Sequence, residues 1–237
     1  MKPIILFDLD ETLFESPYDY DCAADTLYAA LSIPADEHDR IDQIRRRCFS
    51  EAWKACGIDD ISTPADRAAY HTRYDTYALD RFIRFAKTAE ITAMTPTEMN
   101  DLFLCDYAKR GTPIEGAVDL LARLKAEGRI ICIATNGLVR TQPNRIARSP
   151  IAPFIDHLFV SEAIGNIKPD PIYFGHILKT LGAKADDCIM CGDSAPHDIA
   201  GAYNIGMQSI HFNRKNVPAD PRATYEIKAW ADFPAEV

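Results

Sequence analysis

Apolar and polar positions divide the chain into three textures. It opens with a continuous apolar run, Ile4-Ile5-Leu6-Phe7, that stops at two carboxylates, Asp8 and Asp10. A short aliphatic run ended this way predicts a fully buried strand that delivers acids at its C-terminal edge. Along an extended strand positions i and i+2 share a face, so both carboxylates can approach one ligand if that geometry persists. Residues 15–110 read differently. They hold one glycine, Gly57, and no convincing strand run, and their apolar positions recur at helical spacing. Ala23, Ala24, Leu27, Ala30 and Leu31 line a first helix, and Ile41, Ile44, Cys48 and Phe49 a second that Ala52 and Trp53 extend. Ser62-Thr63-Pro64 carries the chemistry of a helix start, and a long helix follows through Tyr70, Tyr74, Tyr77, Ala78, Arg81, Phe82 and Phe85. Thr95-Pro96-Thr97-Glu98 opens another with a capping box. The Tyr and Phe stripes at this spacing are read as core rather than as ligand platforms.

From Thr112 strands and helices alternate. Ala117, Leu120, Leu121 and Leu124 make an amphipathic helix stopped near Gly128. Residues 130–134 form an apolar strand ending in Thr135-Asn136-Gly137, a turn able to present N–H groups and a hydroxyl to an anion. After a proline-rich passage with a short helix, residues 154–160 turn into another strand. Pro169 and Pro171 then fix the backbone around Lys168. Tyr173, Phe174, Ile177, Leu178 and Leu181 mark a helix closed by Gly182. Residues 189–191 are a strand ending in Gly192-Asp193-Ser194, with Asp198 inside or beside the start of a helix that ends near Gly206. Residues 207–212 give a further strand, and the tail an edge strand and a short helix. The alternation predicts an α/β fold, a doubly wound, Rossmann-like parallel sheet, with the helical segment as an insertion. The expected division is 1–14 with 111–237 as the core, and 15–110 as the inserted α-helical domain.

Composition excludes several classes of function. The chain has 237 residues, 47% hydrophobic and 26% charged, with a net charge of −9. That charge offers no long-range attraction to a nucleic-acid polymer or an anionic membrane. Any phosphate site must therefore be made locally positive. The first apolar run is too short for a secretion signal, and no stretch approaches the ~20 apolar residues of a membrane span. The seven cysteines are odd in number and scattered, which fits a reducing, cytoplasmic setting. Cys188 and Cys191 form a C-x-x-C, but in a buried strand positions i and i+3 face opposite sides, which argues against metal or redox use.

In an open parallel sheet, ligands bind beyond the C-terminal ends of the strands. Asp8 with Asp10, Thr135, Lys168 and Asp193 are all expected at that edge. Three carboxylates repel one another; two unit charges about 4 Å apart cost roughly 4 kcal/mol at an effective dielectric near 20. A hard divalent cation relieves this, and oxygen ligands are what Mg²⁺ accepts. Lys168 and the Thr135 hydroxyl then supply donors to an anion beside the metal. This set points to phosphoryl transfer, with one carboxylate attacking phosphorus and a second acting as proton donor and acceptor. Asp198 has two readings, a member of this cluster or an acid favoured at a helix start by the helix dipole. Glu11 has its own two readings, a solvated side chain or a contact with the helical insertion, and His197, next to Asp198, is read as a plain exposed histidine.

Four motifs in this order, Asp8-Leu9-Asp10-Glu11-Thr12, Thr135-Asn136, Lys168-Pro169 and Gly192-Asp193 with Asp198, resemble the haloacid-dehalogenase (HAD) superfamily along the whole chain. The resemblance implies that Asp8 is the nucleophile and Asp10 the general acid/base. It implies that Thr135 and the Asn136 backbone bind phosphate, and that Lys168 steadies nucleophile and phosphate. It implies Mg²⁺ on the Asp8 carboxylate, the Asp10 main-chain carbonyl and Asp193, with Asp198 in support. The insertion resembles the helical cap of the family's first cap class, which closes over the site and excludes water. Dehalogenases of this fold lack an acid at the position of Asp10, so its presence favours a phosphate ester, the substrate being a small phosphorylated metabolite. Glu11, Gln142 and Val160-Ser161-Glu162 make the chain similar to pyrimidine 5′-nucleotidase-like phosphatases. That likeness implies a pyrimidine nucleoside 5′-monophosphate as substrate. The alternatives are sugar-phosphate or phosphoglycolate phosphatase, phosphomutase, and a non-catalytic binder.

Overall fold

A computed structural model describes residues 3–237. The chain forms two compact units, Met1–Pro17 with Arg110–Val237, and Tyr18–Lys109. In chain order, strand β1 (Ile4–Phe7) is followed by helices α1 (Ser16–Ala30), α2 (His38–Cys56), α3 (Pro64–Thr88) and α4 (Pro96–Tyr107). Then come α5 (Ala117–Ala126), β2 (Ile130–Thr135), α6 (Gln142–Ala147), β3 (His157–Val160), α7 (Ser161–Ile164) and α8 (Pro171–Leu181). The chain ends with β4 (Cys188–Gly192), α9 (Ala200–Asn204), β5 (Gln208–Phe212) and β6 (Tyr225–Ile227).

The strands form one six-stranded sheet of order β3-β2-β1-β4-β5-β6 with parallel pairing throughout. Sheet residues alternate between two apolar layers, as a strand buried on both faces requires. Ile5, Phe7, Ile131, Ile133, Ile189 and Cys191 pack on one face with Leu120, Leu121 and Trp230. Ile4, Leu6, Cys132, Ala134, Cys188 and Met190 pack on the other with Tyr173, Phe174 and Ile177. Cys188 and Cys191 thus lie in opposite layers, as the strand period predicts. The tail is part of this core: Trp230 stacks on Phe212 at 4.1 Å and meets Phe7 edge-on at 5.6 Å.

The helical unit has its own core, built from Ala23, Ala24, Leu27, Tyr28, Phe49, Phe82, Phe85, Met99 and Phe103. Tyr28 is buried with them, whereas Ala30, expected on the buried face, is exposed at the last position of α1, just before the chain turns at Ser32 with φ 55°. Both predicted capping boxes form: Thr63 with Asp66 opens α3, and Thr95 with Glu98 opens α4. Helical spacing places Arg81 of α3 on the buried face. Its guanidinium lies 4.8–5.9 Å from the ring centroids of Tyr20, Phe49, Tyr77, Phe82 and Phe103. A charge otherwise costly to bury is here held against aromatic faces.

Candidate active site

Register brings the site together. Phe7 pairs with Ile133 on one side and Cys191 on the other, so the next residues, Asp8, Ala134-Thr135 and Gly192-Asp193, emerge side by side. Asp8 N–H still donates to Cys191 O at 2.9 Å, which holds Asp8 to the edge of the sheet. Beyond it the chain folds into a tight turn in which Leu13 and Phe14 N–H both donate to Leu9 O. Leu9, Leu13 and Phe14 bury the turn, and Glu11 takes the left-handed conformation at φ 62°. Thr12 joins two motifs: its hydroxyl lies 3.3 Å from Asp8 Oδ2 and accepts from Asp193 N–H at 3.1 Å.

Lys168 reaches the sheet edge from the loop after α7. Its ammonium has three protons and meets three oxygens, Asp8 Oδ1 at 2.6 Å, Asp198 Oδ1 at 2.7 Å and Ala134 O at 2.8 Å. The Asn136 side chain clamps the lysine's backbone, donating to Lys168 O at 3.1 Å and accepting from Lys168 N–H at 2.8 Å. Only the Asn136 backbone was expected to serve the site. Asp198 is fully buried within a π-helical turn, Ala195–Ile199, and also accepts from Ser194 N–H at 3.0 Å. It belongs to the cluster rather than to an exposed helix start. A single regular helix to Gly206 was expected, but the wide turn and α9 replace it and direct Asp198 inward. Glu11 and Asp193 share the exposed Lys215, at 2.9 and 3.4 Å.

Charge decides what this cluster can hold. Asp8, Asp193 and Asp198 offer carboxylate oxygens all within 4.8 Å of one another. Against three carboxylates there is one buried ammonium, Lys168. Burial pushes Asp8 well above the usual carboxylate range, Lys168 opposes the rise, and Asp198 and Asp193 add to it. Asp193 is pushed up to about 6, by burial first and then by Asp198. Lys168 stays charged although burial opposes it, because Asp198 and Asp8 face it. An all-oxygen donor set with excess negative charge fits a hard divalent cation and gives nothing to a soft one.

Asp10 stands apart from this network. The strand ends at Phe7, so the period that would have aimed Asp10 with Asp8 does not continue. Its carboxylate accepts from Arg145 Nη1 at 2.5 Å, from Gln142 Nε2 at 2.6 Å and from the Ser16 hydroxyl. Burial opposes ionisation, but Arg145 and the three hydrogen bonds outweigh it and hold Asp10 below the usual carboxylate range. Thr135 lies buried between the two groups, accepting from Gly137 N–H at 3.0 Å and Gln142 Nε2 at 3.2 Å. Arg145, Ser16 and Thr12 were missed as site residues, and Gln142 was noted only as part of a likeness. The available signal was a Gln and an Arg at i and i+3 on one short helix just after the Thr135 turn.

The sequence model described as haloacid dehalogenase-like hydrolase matches residues 3–206. The chain belongs to the haloacid dehalogenase-like hydrolases. Pyrimidine 5′-nucleotidase PynA of Streptococcus pneumoniae is 27% identical over 233 residues, spanning 97% of this chain and 92% of that one. A ribulose-1,5-bisphosphate 5-phosphatase of Halopiger xanaduensis is 27% identical over 218 residues, spanning 90% and 85%. The magnesium-bound crystal structure of Bacillus subtilis YfnB shares the fold of this hydrolase with a TM-score of 0.78 at 24% identity, covering 97% of this chain and 96% of that one. The family is the one that the four motifs resemble, the α/β fold is the one that the alternation of strands and helices predicts, and the likeness to pyrimidine nucleotidases recurs among the relatives. No described helix is long and apolar enough to cross a membrane.

Proposed function

We propose that this hydrolase is a Mg²⁺-dependent phosphomonoesterase working through an aspartyl-phosphate on Asp8. One observation carries the reading: Asp8 is held by Lys168 inside a carboxylate cluster that calls for a divalent cation, at the same sheet edge where the neighbouring strand ends in Thr135. Mg²⁺ would be held by Asp8, Asp193, Asp198 and the Asp10 carbonyl, and would neutralise charge on the phosphoryl oxygens. An Asp8 oxygen attacks phosphorus and the ester P–O bond breaks. Asp10, which Arg145 holds ionised in the free chain, would first take up a proton from solvent as substrate arrives and then give it to the leaving oxygen. Water then attacks phosphorus, Asp10 takes the proton, and the bond from phosphorus to Asp8 breaks to release phosphate. Thr135 and the Asn136 backbone bind the phosphoryl oxygens, and Lys168 orients Asp8. Residues 1–14 and 111–237 serve as the catalytic core and 15–110 as the substrate-selecting cap. The seven cysteines, all free, support a cytoplasmic setting.

The nucleotidase among the relatives favours pyrimidine nucleoside 5′-monophosphates as substrates, and the bisphosphate phosphatase keeps sugar phosphates as a second reading. The test is phosphate release from 4-nitrophenyl phosphate, UMP, dTMP, AMP, phosphoglycolate and sugar phosphates. Release that disappears with EDTA and in Asp8→Asn supports the phosphatase. Isomerised sugar phosphate with little free phosphate indicates a mutase and removes it. Preference for UMP or dTMP over AMP supports the narrower assignment, and a sugar-phosphate preference removes that one alone.

A further inference from the structure

A threonine hydroxyl has one proton to give and two lone pairs to fill. At Thr135 both lone pairs are occupied, by Gly137 N–H at 3.0 Å and by Gln142 Nε2 at 3.2 Å. The proton must therefore be given away. Thr135 is 1% exposed, and among the described residues it donates to no acceptor. Such a hydroxyl is aimed at an anion that arrives.

This polarity depends on which end of the Gln142 amide faces Thr135. Two charged neighbours settle the orientation. Gln142 Oε1 accepts from Arg145 Nη1 at 2.9 Å, and Nε2 donates to Asp10 Oδ2 at 2.6 Å. A flipped amide would set NH₂ against a guanidinium and a carbonyl oxygen against a carboxylate, losing both charge-assisted bonds. Arg145 is itself fixed: it is fully buried, its Nε donates to Arg110 O at 3.0 Å, and its guanidinium lies 5.0 Å from the centre of the Phe14 ring. Gly137 leaves room for the arrangement, since a Cβ there would lie 2.1 Å from Gln142 Nε2.

The geometry points to Gln142, locked by Arg145, as a positioning residue that makes Thr135 an obligatory donor to the phosphoryl group and ties that donor to Asp10. Neither α6 residue needs to touch substrate. Gln142 acts through Thr135 on binding and through Asp10 on proton transfer. The inference rests on the phosphatase reading.

The test measures competitive inhibition by inorganic phosphate, at saturating Mg²⁺, in the wild type, Thr135→Val, Gln142→Leu, the double variant and Arg145→Met. Gln142→Leu frees the hydroxyl to turn inward and is expected to raise the inhibition constant about tenfold, equivalent to about 1.4 kcal/mol. In the Thr135→Val background the same change adds less than about twofold, because the group it acts through is gone. Arg145→Met, which lets the amide flip, reproduces the weakening. Gly137→Ala carries the same test should Gln142→Leu fail to fold, as judged by circular dichroism. An inhibition constant unchanged in Gln142→Leu, or a loss repeated in full without the Thr135 hydroxyl, overturns the inference while the phosphatase stands. A wild type that neither releases phosphate nor is inhibited by it removes both.

Discussion

At the residue scale, the site is set by contacts that leave no room for one more atom. Gly192 ends β4 directly behind Asp198, and a Cβ on it would lie 2.1 Å from Asp198 Oδ2 and 2.3 Å from its Cγ. Gly192→Ala must push Asp198 out of place, and Lys168 then loses one of the three oxygens that aim it at Asp8. Displacement of a catalytic group by about 1 Å can cost about 10²-fold in rate. The expected outcome is a kcat lower by that order, with the KM for 4-nitrophenyl phosphate changed much less. Steady-state kinetics beside a urea melt checks it. An unchanged kcat in a folded variant would show that Asp198 has no part in holding Lys168.

At the element scale, what the sequence revealed and what it hid follow from the range of the interactions. β1, β2 and β4 are continuous apolar runs that end in polar groups, and the buried parallel sheet has room for no other reading of them. The Thr63 and Thr95 boxes were equally plain, because a cap is a contact across three residues. Thr63→Ala should therefore destabilise the helical unit by about 1 kcal/mol, read from chemical unfolding followed by helical circular dichroism. No measurable loss would mean that α3 is held by its buried face alone. The partners of Asp10 were hidden because Gln142 and Arg145 lie 132 and 135 residues away in sequence, and only the sheet topology brings α6 to the turn after β1. The break in the helix carrying Asp198 was hidden for another reason. Periodicity cannot distinguish a π turn from a regular one over a few residues. Arg81 was legible only as one position of the long helix, open to reaching a substrate; its burial in a shell of rings drawn from α1, α2, α3 and α4 was not.

At the scale of the whole molecule, the acidic cluster makes the fold's stability depend on pH and on the cation together. Asp193 titrates near 6 in the folded chain against an ordinary 3.8. Between those values the folded state keeps a proton that the unfolded state has released, so raising the pH favours unfolding, and above about 6 the whole penalty is present. The gap corresponds to about 3 kcal/mol at most, and partial access of water to the side chain lowers the expected penalty to about 1–3 kcal/mol. Asp8, raised for the same reason, adds with the same sign. Lys168 is raised too, but a raised lysine contributes evenly below its ordinary 10.5 and adds no slope here. Asp10 is lowered, so its contribution is lost only as the pH falls below about 4. In EDTA at pH 7.5, Asp193→Asn should therefore be more stable than the wild type by about 1–3 kcal/mol, and the advantage should shrink towards pH 5. Mg²⁺ works against this order. At a hundred times its dissociation constant a cation bound only to the folded chain adds about 2.7 kcal/mol, and the wild type gains this at pH 7.5 while Asp193→Asn gains little. Urea unfolding of both proteins at pH 5 and 7.5, with EDTA and with Mg²⁺, measures all four differences. Equal stabilisation of both proteins by Mg²⁺ would place the ion elsewhere, and a variant no more stable than the wild type in EDTA would mean that the buried carboxylates are already neutralised from within.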